Sequence, residues 1–209
     1  MVAKLNYKNF LTACIFTTLA AAILFYYSFT IGKDNFFLLL NNNYGSVADI
    51  FFTVITFLGD GVIWAFLLLL FIKYRKKLIV LLVSAFILST LFVQVSKYFI
   101  VPNELRPIRS IANTSSIHVV KGMEPHETSS FPSGHTTSAF CYFLIACLVI
   151  NKKWILPVVF LFALLVGYSR VYLAQHFPLD VAAGMLVAIA SVSFAILVQR
   201  HWSNRKSAN

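Results

Sequence analysis

The chain has 209 residues, 59% of them hydrophobic and only 11% charged, with a mean hydropathy of +0.81, whereas soluble domains carry about 25% charged residues. That composition excludes an ordinary soluble domain and reads as an integral membrane protein. The net charge of +10 would suggest nucleic acid in a soluble chain, but here its distribution marks topology.

Apolar stretches of about 17 to 25 residues can cross the hydrocarbon core as helices. Six are predicted, making an all-α membrane bundle. Span one runs from about Phe10 to Ile31; it is too long for the apolar core of a signal peptide, lacks a cleavage site and is expected to stay. The second apolar region, Val47 to Ile72, is broken by Gly59, Asp60 and Gly61, which lower helix propensity and set a carboxylate mid-run. Val47 to Leu58 is read as an interfacial helix and Gly59 to Tyr74 as the crossing, with one long kinked span as the alternative. Span three covers about Leu78 to Ile100, span four Ser133 to Ile150, span five Trp154 to Tyr172 and span six Pro178 to Val198. Residues 101–131 form the long link. The whole of 1–209 is expected to be a single membrane domain without internal repeats.

Six crossings put both termini on one side. The links on that side hold Lys4, Lys8, Lys73, Arg75, Lys76, Lys77, Lys152, Lys153, Arg200, Arg205 and Lys206 and no acid, whereas all seven acids fall on the other side. By the positive-inside rule the basic side is cytoplasmic and faces anionic headgroups. Cys14, Cys141 and Cys147 fall inside predicted spans without metal-ligand spacing and read as packing residues. The aromatics read as lipid-facing or core side chains, with Trp154 and Trp202 at an interface.

Ionisable residues near apolar spans are costly and mark function. On the outer side Lys97 ends span three, Arg106 follows, FPSGH at 131–135 opens span four, and SRVYLAQHFPLD at 169–180 joins spans five and six. Lys97, Arg106 and Arg170 with the helix N-terminus at Ser133, Gly134 and His135 suit a phosphate: arginine forks bind phosphoryl oxygens bidentately, and helix N-termini offer free N–H groups. His176 and Asp180 lie four apart with Pro178 at the helix start, so the carboxylate can fix the imidazole tautomer and leave the other nitrogen to attack phosphorus. His135 then serves as general acid and later as base for water. Chemistry alone would let either histidine be the nucleophile.

PSGH and SRxxxxxHxxxD, matched by Pro132, Ser133, Gly134 and His135 and by Ser169, Arg170, His176 and Asp180, make the chain resemble the type 2 phosphatidic acid phosphatase superfamily over about residues 45–199. Its first motif, KxxxxxxRP, is lengthened by two residues here, as KYFIVPNELRP, with a bulge expected around Pro102 and Asn103. The resemblance implies a six-helix membrane phosphatase acting near the outer surface. It assigns His176 as nucleophile, Asp180 as its partner, His135 as acid and base, and Lys97, Arg106, Ser133, Gly134 and Arg170 as phosphate ligands. Ser169 is a further candidate ligand, and no metal or other cofactor is expected.

The expected reaction is hydrolysis of a lipid phosphomonoester or diphosphate. Undecaprenyl diphosphate is favoured, with phosphatidylglycerol phosphate, phosphatidic acid and a lipid A phosphate as candidates. A lipid phosphotransferase using the same site, or a non-catalytic anionic-lipid carrier, is the alternative. The expected partners are the lipid substrate and the bilayer, with no nucleic acid and no obligate protein. His118, His126, Arg109, Lys121, Glu124 and Glu127 read as solvated loop residues, and Asp60 as marking a helix start.

Overall fold

The computed structural model describes residues 5–123 and 126–208 and, among these, contains only helical regular structure. Helix α1 is Tyr7–Thr30, α2 Lys33–Leu40, α3 Ser46–Thr56, α4 Gly61–Tyr74, α5 Ile79–Val95, α6 the single turn Pro107–Ser110, α7 Gly134–Val149, α8 Ile155–Tyr172 and α9 Pro178–Ala208. Spans one, three, four and five fall within a few residues of their expected limits. The last helix runs ten residues past its expected end at Val198, because QRHWSNRKSA carries good helix formers and nothing that stops a helix. Helix α2 was not foreseen: its eight residues follow Gly32, whose φ of 90° turns the chain sharply after α1.

Helices α1 and α9, the α5 region and α8 are long and apolar enough to cross a membrane, and α3 with α4 forms a fifth candidate bent by 53°. The bend falls at Gly59 and Asp60, where a 3₁₀ turn replaces the α-helix. At 14 residues α4 reaches only about 21 Å, so the crossing needs part of α3. The break falls where the sequence divides the region, and the two pieces pass as a span when taken together. Helix α7 has 16 residues, about 24 Å at the helical rise, and is too short to count as a span by length alone. It sits at the centre instead, packed on α8 and α9 and bordered by α1 and α5, with Phe140, Phe143, Leu144 and Leu148 wholly buried.

Lipid-facing surfaces follow from the inverse rule. On α1 the small or polar Ala13, Thr17 and Ala21 are buried, whereas Leu11, Ile15, Leu19 and Ile23 are exposed, as van der Waals packing between membrane helices favours small residues inside. Cys141 and Cys147 are buried and Cys14 is half-buried.

The two ends of the bundle differ. At one end Asn6 donates to the Leu148 carbonyl, Gln199 joins the Lys77 carbonyl to Ser203, and Arg200 stacks on Tyr7; the acid-free basic segments gather here. At the opposite end lie the start of α7, the end of α8, the start of α9 and the 101–131 link. Asn41 pins that link: its side chain accepts from the His118 N–H at 2.7 Å and donates to the carbonyls of His118, Val171 and Tyr172.

Candidate functional site

The end of α8 folds back on itself. Both Gln175 and His176 donate their N–H to the Arg170 carbonyl, and Ala174 takes a φ of 53° to make the reversal. His176 is thereby held above Arg170, 2% exposed. Helix α9 starts at once with Pro178, and Asp180 Oδ2 accepts from the Phe177 N–H at 2.9 Å, a side-chain cap of the kind that fixes helix N-termini.

The same oxygen lies 3.4 Å from His176 Nδ1 and accepts a short hydrogen bond from Ser130 Oγ. Three donors thus fix the carboxylate, which in turn holds the ring by Nδ1 and leaves Nε2 on the side away from Asp180. Burial, with Arg106, Arg170 and Lys97 nearby, holds His176 well below the ordinary histidine value, so its imidazole is neutral at pH 7. A neutral ring is what a nucleophile needs.

The start of α7 is built against α9. A Cβ at Gly184 would lie 2.7 Å from the Ser133 carbonyl oxygen, so only glycine lets the two helices meet there. Ser133 caps α7 through Oγ, which accepts from the Thr136 N–H at 3.4 Å and from Thr136 Oγ1 at 2.9 Å, while its own N–H donates to the Asp180 carbonyl. That corrects the expectation that the Ser133 N–H faces an anion: it ties the α7 start to α9, and the N–H groups of Gly134 and His135 remain at the open end. Nothing crowds Gly134, whose nearest neighbour would be Val93 at 3.9 Å.

The cations take different positions. Arg170 is 6% exposed and donates through Nη1 to Thr56 Oγ1 at 2.6 Å, while its buried Nε has no partner. An orphaned buried guanidinium N–H is costly and calls for an acceptor, which a phosphoryl oxygen would be. Arg106, 7% exposed, donates to the carbonyls of Thr128 and Gln175 and to Gln175 Oε1, clasping the long link against the α8–α9 turn. Lys97 sits in a π-helical turn, Ser96–Ile100, after α5, and Asn103 follows with a left-handed φ of 61°. The wide turn and the Asn103 reversal absorb the two extra residues, and Lys97 stays within electrostatic reach of Arg106, Arg170 and Asp180.

Ser169 is the motif residue that turns away. Its hydroxyl, fully buried, donates to the Val166 carbonyl at 2.6 Å within α8, which is a packing role. His118 is not simply solvated either: Nε2 pairs with Asp49 Oδ1 at 2.9 Å, and the Tyr172 hydroxyl donates to the same oxygen. His126 stays exposed at the rim, within reach of the three cations. Glu124 lies outside the described residues.

Sequence reasoning missed four residues. Ser130 stands directly before FPSGH, and Gln175 directly before His176, so adjacency was the available signal. Thr56 gave none. Asp60 reads in the sequence as a helix marker, yet at the N-cap position of α4 its carboxylate makes no capping bond and lies 3.1 Å from His135 Nε2. Gly59 allows this contact, since a Cβ there would come within 2.9 Å of His135 Cβ, the His135 carbonyl and Val166 Cγ1. Both histidines therefore carry a carboxylate.

Among the described residues, an all-helical apolar bundle thus carries two carboxylate-paired histidines, three cations and an open helix start at one end. The chain belongs to the PAP2 superfamily, whose pattern matches residues 78–204. It is 37% identical over 125 residues to an undecaprenyl-diphosphatase of Sulfolobus acidocaldarius, covering 57% of this chain and 54% of that one, and so spans about half the length of that relative. A lipid A 4'-phosphatase of Porphyromonas gingivalis is 30% identical over 83% of this chain and 75% of its own. Among solved structures, Aquifex aeolicus LpxE superposes with a TM-score of 0.68 at 33% identity, covering 77% of this chain and 92% of that one.

Proposed function

We propose that the protein is a membrane lipid phosphatase that works through a phosphohistidine on His176. The observation that carries this is the Ser130–Asp180–His176 arrangement, which holds a buried, neutral imidazole through Nδ1, together with the buried and unpartnered Nε of Arg170. Nε2 of His176 attacks phosphorus as the bond to the leaving oxygen breaks, and His135 gives that oxygen its proton. Water, deprotonated by His135, then attacks the phosphohistidine, releasing inorganic phosphate and restoring His176. Lys97, Arg106, Arg170 and the Gly134 and His135 N–H groups neutralise the charge that spreads over the phosphoryl oxygens.

The substrate is a lipid phosphate whose headgroup enters at the acid-bearing end of the bundle while its tail stays among the helices. The kinship to an undecaprenyl-diphosphatase and to a lipid A 4'-phosphatase supports this class. With α7 counted as a crossing, six spans set both termini at the basic, cytoplasmic end and the site at the outer face of the cell membrane. Purified protein in detergent, given a panel of prenyl, glycerolipid and lipid A phosphates with EDTA present, should release phosphate, and His176→Ala should not. Unchanged release by His176→Ala refutes the mechanism. A cysteine at exposed Ser115 should react with an impermeant reagent from outside intact cells; reaction only after permeabilisation refutes the orientation.

A further inference from the structure

Helix α3 has two unlike faces. Val47, Ile50, Val54 and Phe57 are exposed, whereas Asp49, Phe52 and Thr56, spaced i, i+3 and i+7 along one face, lie against α8. Asp49 Oδ1 accepts from the Tyr172 hydroxyl at 2.6 Å, and the Phe52 ring packs on Tyr168 and Tyr172 with centroids 5.2 and 4.6 Å apart. These contacts set the height of α3 against the end of α8. One turn further on, Thr56 is 5% exposed and its Oγ1 accepts from Arg170 Nη1 at 2.6 Å.

A buried acceptor in that position decides which part of the guanidinium stays free. The group is a rigid plane whose N–H donors point in fixed directions. With Nη1 taken by Thr56, the edge that carries Nε and Nη2 remains, and Nε on that edge is buried without a partner. Pairing two parallel N–H groups with two phosphoryl oxygens is the bidentate geometry that arginine offers a phosphate. Without an acceptor at Thr56, Nη1 would itself be buried and unsatisfied, and the guanidinium would turn on its long stem to find another.

Resting on the lipid phosphatase reading for its substrate, we infer that Thr56 is a positioning residue of the phosphate site: by holding Nη1 it presents the Nε edge of Arg170 to the phosphoryl group. Asp49 and Phe52 keep α3 where Thr56 can do so. Gly59 and Asp60, just beyond Thr56, meet His135, so one segment places both a phosphate ligand and the acid of the reaction.

Inorganic phosphate is the probe, because its binding reports on Arg170 without turnover. Titrated into purified protein in detergent, it should bind Thr56→Val about tenfold more weakly than wild type, and kcat/KM on farnesyl phosphate should fall by about the same factor. Thr56→Ser keeps the acceptor and loses only a methyl group, so it should recover most of both. A threonine that merely packs would be replaced better by valine, which has its shape, than by serine. Thr56→Val with wild-type phosphate affinity, or Thr56→Ser as weak as Thr56→Val, overturns the positioning role and leaves the phosphatase reading intact. Wild-type protein that binds phosphate but releases none from any lipid phosphate overturns the phosphatase reading, while the binding series still decides the role of Thr56. Wild-type protein that binds no phosphate overturns both.

Discussion

Gly59→Ala is the sharpest steric probe of how the site is assembled. The new Cβ would stand 2.9 Å from His135 Cβ, from the His135 carbonyl oxygen and from Val166 Cγ1, where 3.4 Å begins ordinary contact. None of these atoms is the end of a flexible side chain: one is backbone, one is the root of His135, and one belongs to the buried Val166. The α7 start must therefore retreat by about half an ångström, and misplacing a catalytic group by about 1 Å costs about a hundredfold in rate. We expect kcat to fall about ten- to a hundredfold with KM little changed, and stability to fall by about 1–3 kcal/mol, as for other overpacked sites. Gly61→Ala two residues on is the internal control, since nothing lies within 4 Å of its Cβ; it should keep full activity. Phosphate release from a lipid monophosphate, with thermal unfolding in the same detergent, measures both. A Gly59→Ala protein with wild-type kcat would refute the claim that α3–α4 positions His135.

Other outcomes follow from the hydrogen bonds around His176. Asp180→Asn should lower kcat by about three to four orders of magnitude, as when the orienting carboxylate of a serine triad is lost; Ser130→Ala should lower it less, because Phe177 N–H still holds Asp180. Arg170→Lys should raise KM and lower kcat/KM sharply in steady-state assays, since lysine supplies neither the fork nor the unpartnered Nε N–H. His176 is held below its usual value in the fold, so below about pH 6.5 the unfolded chain takes up a proton that the folded one refuses. Stability from this group is present above that pH and is lost as pH falls; unfolding scans from pH 7.5 to 5 should show the drop, and His176→Gln should flatten it. By the same reasoning, kcat/KM should not decline through protonation of His176 between pH 7.5 and 6.5.

Much of the site is legible in the sequence because its residues sit in two short segments at helix ends. Hydropathy placed those ends, the i,i+4 spacing joined His176 to Asp180, and charge asymmetry separated the two faces. What stayed hidden depends on contacts between segments far apart in the chain. Asp60 meets His135 only because the α3–α4 bend and Gly59 bring a backbone against α7, and no local pattern encodes that approach. Ser133 illustrates the converse: its motif was plain, but its N–H went to Asp180 once α9 packed against Gly184. Helix α7 keeps the limits expected of span four but lies at the centre, packed on α8 and α9 and bordered by α1 and α5, because apolarity does not tell lipid contact from burial.

The covalent step is the centre of the account, and trapping it tests it most directly. Protein given a ³²P-labelled lipid phosphate and quenched in alkali and detergent within a turnover should carry label that is stable to base, released by acid and mapped to His176. The label should be absent from His176→Ala. Turnover by the wild type without any such label, or label that persists in His176→Ala, would contradict the mechanism.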